Sequence, residues 1–250
     1  MKAYIITTSF NPDKKQVTFA QHLADQYGFT YRERRKDSVK KLIADGEGAL
    51  VVYREKLIFV AHNGRELIFH PDTATLRIKA PHDPFLDLLG NAPKIVLDCT
   101  MGLASDSLVM ASAGHRVTAL ESQLIPYLVV SRGLVTYCSG KEKLDKAMRS
   151  VQPIHVDYVD FLKSQPENSF DVIYFDPMFS ENIQESENLA GLEQLANPAR
   201  LTTEIVEEAK RVAREKIILK AHFRDSVFEE LGFERLVRPN QKFHYGQIIL

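Results

Sequence analysis

Lys94-Ile95-Val96-Leu97-Asp98-Cys99-Thr100-Met101-Gly102-Leu103-Ala104-Ser105-Asp106 is the stretch from which the rest of the chain can be read. Its apolar, β-branched start predicts a short buried strand over 94–97. The strand ends on a carboxylate, a turn around Gly102 follows, and a helix is expected from about Ala104 to Ala113. A strand that ends in a polar turn and feeds a helix is half of a βαβ unit, and the next question is whether the pattern repeats.

It repeats toward the C-terminus. Gly114 stops the first helix, a second strand is predicted at Arg116–Leu120, and a helix covers roughly Leu124–Tyr137. A charged segment leads to a third strand at Val151–His155, and a fourth at Asp171–Phe175 ends in Asp176-Pro177-Met178-Phe179. Asn197 as N-cap and Pro198 in the first turn predict the next helix start, with Leu201, Ile205, Ala209 and Val212 as its apolar stripe. A fifth strand at Lys216–Leu219 and a short helix ending near Gly232 follow. Two last strands, Leu236–Val237 and Tyr245–Leu250, pair as an antiparallel hairpin. The expected fold is therefore α/β: over residues 85–250 a Rossmann-like sheet with a C-terminal antiparallel hairpin, which resembles the class I methyltransferase fold more than a plain dinucleotide fold.

Toward the N-terminus the pattern changes. A strand at Ala3–Thr7, a helix at Lys14–Tyr27 closed by Gly28, and strands at Ala49–Tyr53, Leu57–Ala61 and Glu66–Phe69 predict a small α+β domain over residues 1–84. His62-Asn63-Gly64-Arg65 reads as a hairpin turn, and Pro81-His82-Asp83-Pro84 as the domain boundary. The 250 residues suffice for both domains, with 44% hydrophobic and 26% charged residues. A net charge of −1 is not that of a basic nucleic-acid coat protein, so a nucleic-acid contact needs a local patch. Cys99 and Cys138 have no metal or disulfide spacing, and the eight histidines show no ligand spacing, so no metal is expected. No signal peptide or membrane span is read, and a cytoplasmic location is expected.

Ligands of open α/β sheets bind outside the carboxyl ends of the strands. The ends here are Asp98 with Thr100 and Gly102, then Glu121-Ser122, then Asp157-Tyr158, then Asp176. Each has a task in a site for S-adenosylmethionine (SAM). The Gly102 turn admits the cofactor's amino-acid moiety, whose ammonium suits Asp98. Glu121, 23 residues after Asp98, is placed to accept both ribose hydroxyls. Asp157 or Tyr158 can receive the adenine amine or flank its ring. Taken singly, Asp98 and Glu121 read equally as strand-end carboxylates that cap a helix; the order and spacing of four ends together favour the cofactor site.

Asp176-Pro177-Met178-Phe179 suggests the reaction. An exocyclic amine is a poor nucleophile because its lone pair is delocalised into the base. A carboxylate and the Pro177 carbonyl can accept its hydrogens and return electron density to nitrogen. Phe179 can stack on the base and fix the line of approach. The plain alternative is an Asp-Pro turn with Met and Phe packed in the core.

The segment Val172 to Phe179 and the loop Asp98 to Asp106 resemble the small-subunit ribosomal RNA guanine-N2 methyltransferases (RsmJ-like), well over residues 94–179 and weakly at Lys220 and around Lys242 to Tyr245. The resemblance implies SAM contacts at Ser105, Asp106, Glu121, Ser122, Asp157, Tyr158 and Asp176, S-adenosylhomocysteine as product, and ribosomal RNA or the small ribosomal subunit as partner. The chain departs from the family at Ser105 and Ser122, where arginines are usual, and at Ser180–Glu187, which is acidic where the family is basic. These departures mark a divergent branch.

Arg34, Arg35 and Lys36, within the basic run 32–41, could track a phosphate backbone, or could be a solvated helix start; Arg235, Arg238, Lys242 and His244 are a second candidate. Lys220 and His222 are candidate substrate contacts at the end of the fifth strand. The expected activity is methyl transfer from SAM to a nucleobase amine, guanine in ribosomal RNA before others. The rivals are a methyltransferase for DNA, protein or small-molecule amines, and a SAM- or RNA-binding relic without activity.

Overall fold

The computed structural model describes residues 4–43, 48–177 and 201–250, which fall into two compact units. Among these residues the first unit holds 4–70 and 128–137, and the second holds 71–127, 138–177 and 201–250.

The first unit is built on β1 (Tyr4–Thr8), α1 (Lys14–Tyr27), β2 (Thr30–Tyr31), α2 (Val39–Leu42), β3 (Gly48–Val52), β4 (Leu57–Ala61) and β5 (Glu66–Ile68). Its five-stranded sheet runs β2-β1-β3-β4-β5, parallel from β2 to β3 and antiparallel beyond. The start of α1 is closed by a capping box: Gln16 N–H donates to Asp13 Oδ1 (2.8 Å), and Asp13 N–H to Gln16 Oε1 (3.1 Å). The turn expected at 62–65 is present, with Gly64 at φ 83° and Asn63 Oδ1 accepting from Arg65 N–H at 3.0 Å. Leu128–Tyr137 joins this unit because Gly133 lets Phe69 approach: a Cβ there would stand 2.2 Å from the ring. Tyr137 meets the same ring edge-on, at 5.9 Å.

The second unit comprises α3 (Asp72–Lys79), α4 (Pro84–Leu89), β6 (Ile95–Asp98), α5 (Ser105–Ser112), β7 (Arg116–Glu121), the start of α6 (Leu124–Thr136), α7 (Glu142–Ser150), β8 (Gln152–His155), α8 (Tyr158–Ser164), β9 (Phe170–Phe175), α9 (Thr203–Val212), β10 (Ala213–His222), α10 (Val227–Glu230), β11 (Glu234–Leu236) and β12 (Phe243–Ile249). Its seven-stranded sheet has the order β11-β12-β10-β9-β6-β7-β8. The strands from β8 to β10 are parallel, and β12 lies antiparallel between β10 and β11. This is the expected Rossmann-like sheet with its C-terminal hairpin. The order reverses beside β6, which opens a crevice at the carboxyl ends of β6 and β9. Val172, Ile173, Tyr174 and Phe175 are all buried, as a central parallel strand covered on both faces requires.

Three local readings change. The Pro81–Pro84 stretch leads into a helix: Asp83 caps α4, with Phe85 N–H donating to its Oδ1 (3.0 Å), and Pro84 opens the helix. The charged segment after Cys138 is the helix α7, which buries Leu144, Ala147 and Met148 on one face. Its apolar spacing is helical, but charges outnumber it in the sequence. The described start of α9 is Thr203, capped by Thr202, so Leu201 is buried ahead of the helix rather than within its stripe. Asn197 and Pro198 lie outside the described residues.

Candidate active site

The β6–α5 loop is tied to both neighbouring strands. Cys99 N–H donates to Tyr174 O (2.9 Å) and Met101 N–H to Leu120 O (2.8 Å). Asp176 N–H donates to Thr100 Oγ1 at 2.7 Å, which fastens the Asp-Pro turn to the loop. Gly102 (φ 50°) and Ala104 (φ 60°) are both left-handed, and they turn the chain sharply into α5. Asp98 is fully buried and accepts from Thr100 N–H (3.0 Å) and Ser107 Oγ–H (2.5 Å). Burial pushes its carboxyl up to about 7, against those two hydrogen bonds.

Glu121 stands half-buried at the end of β7. Burial raises it to about 7, while the backbone N–H groups of Gln123, Gly102 and Ser122 oppose the shift; the Gln123 bond measures 2.8 Å. Ser122 O lies 3.2 Å from His155 Nε2, and the His155 ring stacks on Tyr127. Asp157 caps α8, accepting from Val159 N–H at 2.8 Å. The neighbouring Tyr158 is buried edge-on to Phe175. Among the described residues its hydroxyl has no hydrogen-bond partner, and burial raises it to about 12.

A charge network sits at the ends of β9 and β10. Lys220 Nζ donates to Asp176 Oδ2 (2.6 Å) and to Asp106 Oδ2 (3.2 Å). The other oxygen of Asp106 is held by Arg77, whose guanidinium also binds Asp83 at 2.8 Å. Tyr174 Oη donates to Asp106 at 2.9 Å. Burial opposes ionisation of Asp106, but Lys220 and Arg77 outweigh it and hold the carboxyl well below the usual range. Asp176 goes the other way: burial raises it, Lys220 pulls it down and Asp106 pushes it up, with a net rise. Phe85 and Tyr245 are stacked, their rings 5.4 Å apart at 12°, and wall the network off.

The structure thus brings Asp98, Thr100, Gly102, Ser105, Asp106, Asp176, Pro177 and Lys220 to one end of the sheet, with Glu121, Ser122, Asp157 and Tyr158 along it. Asp106 spends both oxygens within the protein. His222 closes β10 and Phe179 lies outside the described residues. In the first unit Arg34 is buried, its guanidinium 3.8 Å over the Phe10 ring. Arg35 remains exposed and pairs with Glu33 at 3.4 Å. Arg77, Asp83, Ser107 and Tyr245 escape a reading by motif. The available signal for Arg77 is a cation beside Lys79 in the last turn of a short helix, and its partner Asp106 is 29 residues away.

SAM suits the donor set. Glu121 has no cation paired with it among the described residues, which leaves a carboxylate for neutral hydroxyls, and the Tyr158 hydroxyl is a buried polar atom lacking a partner. Among the described residues no group of three or more His, Cys, Asp or Glu side chains is placed to hold a metal ion. No helix among them is long and apolar enough to cross a membrane.

Comparison with known proteins agrees with this geometry. Residues 86–232 match the family described as "Putative SAM-dependent methyltransferase". The chain is 35% identical to the uncharacterized protein YpiP of Bacillus subtilis, over 98% of each chain. It is 36% identical to ribosomal RNA small subunit methyltransferase J of Laribacter hongkongensis, over 38% of this chain and 34% of that one. The chain therefore spans about a third of that relative's length. Among solved structures, a SAM-dependent methyltransferase from Neisseria gonorrhoeae superposes with a TM-score of 0.65 at 14% identity, covering 98% of this chain and 95% of that one. The chain belongs to the SAM-dependent methyltransferase family. It is an enzyme that uses S-adenosylmethionine, and within that family it resembles a divergent RsmJ-like branch.

Proposed function

We propose that the enzyme methylates an exocyclic nucleobase amine, guanine N2 of small-subunit ribosomal RNA, in the cytoplasm. The observation that carries this is Asp176, anchored through its N–H to Thr100 and through its carboxylate to Lys220 at the carboxyl end of β9. A carboxylate held so firmly is pre-organised to accept an amine hydrogen, and the Pro177 carbonyl stands next to it as a second acceptor. Phe179 would stack on the base. SAM held here would supply an electrophilic methyl group and be released as S-adenosylhomocysteine, its sulfur–carbon bond exchanged for the new nitrogen–carbon bond, and the nitrogen's proton would pass to solvent by way of the Asp176 carboxylate. Asp98, Gly102, Glu121 and Tyr158 are assigned to the cofactor's amino-acid, ribose and adenine parts. Similarity to the ribosomal RNA methyltransferase of Laribacter hongkongensis supports the substrate class. Residues 1–84 are assigned to substrate recognition, with Arg35 and Lys36 as their available cations.

Label transfer from SAM into small subunits, naked ribosomal RNA and tRNA from cells lacking the protein tests the reading. Asp176→Ala should keep SAM affinity within several-fold and lower transfer by about 100- to 1,000-fold. Near-wild-type transfer by that variant would refute the role of Asp176. A second reading, a protein or small-molecule amine as acceptor, is favoured by the acidic sequence Ser180–Glu187; label entering a protein or small-amine fraction and no RNA would select it.

A further inference from the structure

We infer that the exposed aromatic and cationic surface at the end of β10 and along the β11–β12 hairpin binds single-stranded RNA. A base next to the modified one stacks on Phe223, and Arg224 and Arg238 meet the backbone phosphates. This rests on the nucleobase reading above and adds the path of the strand.

The surface continues from the charge network. Side chains two apart on a strand share a face, so β10 presents His222 on the same side as Lys220, the residue that holds Asp176. The next residue, Phe223, is a large aromatic with 37% of its surface exposed. The His222 ring lies 4.7 Å from it and the Arg224 guanidinium 5.1 Å from its centroid. Phe243 meets His222 edge-on at 6.1 Å. A partly exposed aromatic ring flanked by an imidazole and a guanidinium can stack an unpaired base.

The surface is built rather than loose. Phe223 N–H donates to Lys242 O at 2.8 Å, Arg235 donates to Phe223 O, and Arg235 Nε–H donates to His244 Nδ1 at 3.1 Å. Arg238 donates to Phe243 O at 3.4 Å. The cations divide by role. Arg235 is paired with Glu229 at 3.3 Å and serves the scaffold. Among the described residues neither Arg224 nor Arg238 forms an ion pair; each lies over an aromatic ring, Arg238 at 5.3 Å from that of Tyr245. Guanidiniums of this kind suit phosphate. In a chain of net charge −1, a polyanion has to be met by individual cations of this kind rather than by the overall charge.

The test is a fluorescence-anisotropy titration of a short unstructured RNA with full-length protein saturated with S-adenosylhomocysteine. The variants are Phe223→Ala with Arg224→Ala, Phe223→Trp, and Arg224→Ala with Arg238→Ala. The first should bind the RNA about 100-fold more weakly, and Phe223→Trp should bind like wild type. The third should reduce the slope of log affinity against log salt by about one to two. S-adenosylhomocysteine affinity by calorimetry should be the same throughout, which reports intact folding. RNA binding equal in wild type and the first variant would overturn the surface while leaving the nucleobase reading intact. If wild type bound no RNA yet transferred methyl groups to another amine, both would fall. Preference for a DNA strand of the same sequence would overturn the assignment to RNA.

Discussion

Asp176 and Lys220 form the pair on which the chemistry turns, and the carboxylate is drawn both ways: burial and Asp106 raise it, while Lys220 lowers it. Replacing Lys220 with methionine removes the ammonium from between two carboxylates. An unpaired charge left in such a site costs about 3–5 kcal/mol, and denaturant titration should show a loss of that order. Asp176 should then ionise at higher pH, so the acid limb of the pH–rate profile should move upward, and Lys220→Arg should bring it back. A profile that stays in place while stability falls would reduce Lys220 to a structural part. Both residues stand out in the sequence, each at a strand end. Their meeting across 44 residues does not, because it depends on the register in which Ile218 pairs with Tyr174 and Leu219 with Phe175.

Among the elements, α3 and α4 depart furthest from the sequence reading. Proline and aspartate at 81–84 punctuate the chain, but punctuation marks a helix start as readily as a domain edge. Here it marks a helix start, and Arg77 secures it: one guanidinium joins α3 to the cap of α4 through Asp83 and to α5 through Asp106. Arg77→Met should lower stability by about 3–5 kcal/mol, because it strands Asp83 and leaves Asp106 to Lys220. Hydrogen exchange should report the loss first in residues 72–89, well before the central strands. Uniform loss of protection would argue against a local tie. The strands, in contrast, were legible. β6, β7 and β9 are short apolar runs bounded by charge or glycine, β10 holds one at Ile217, Ile218 and Leu219, and that pattern survives any packing. The helix α7 was hidden because its buried face is three residues wide among charges.

At the scale of the whole molecule, buried acids link folding to pH. Asp98 and Glu121 are both held up at about 7 by burial, against about 4 in an unfolded chain. Between those values the folded protein keeps protons that the unfolded chain has released, so their contribution is full below about pH 4 and is lost as pH rises to about 7. Without cofactor, the melting temperature of wild type should therefore fall relative to that of Asp98→Asn with Glu121→Gln as pH is raised from about 5 to about 7.5. Parallel curves for the two proteins would contradict this. SAM affinity of wild type should rise over the same range, as Glu121 gains the charge that attracts ribose hydroxyls.

The sequence by itself determined the order of strands in the second unit, the hairpin that ends it, and the carboxylates at its strand ends. These follow from local period, turn residues and spacing, which each segment carries alone. Only the tertiary structure decided what those carboxylates face. It turned Asp106 into the centre of an Arg77–Lys220 network and buried Arg34 against Phe10. The physical reason is that charge and stacking act through space over a few ångströms, while the chain separates the partners that built the network by tens of residues.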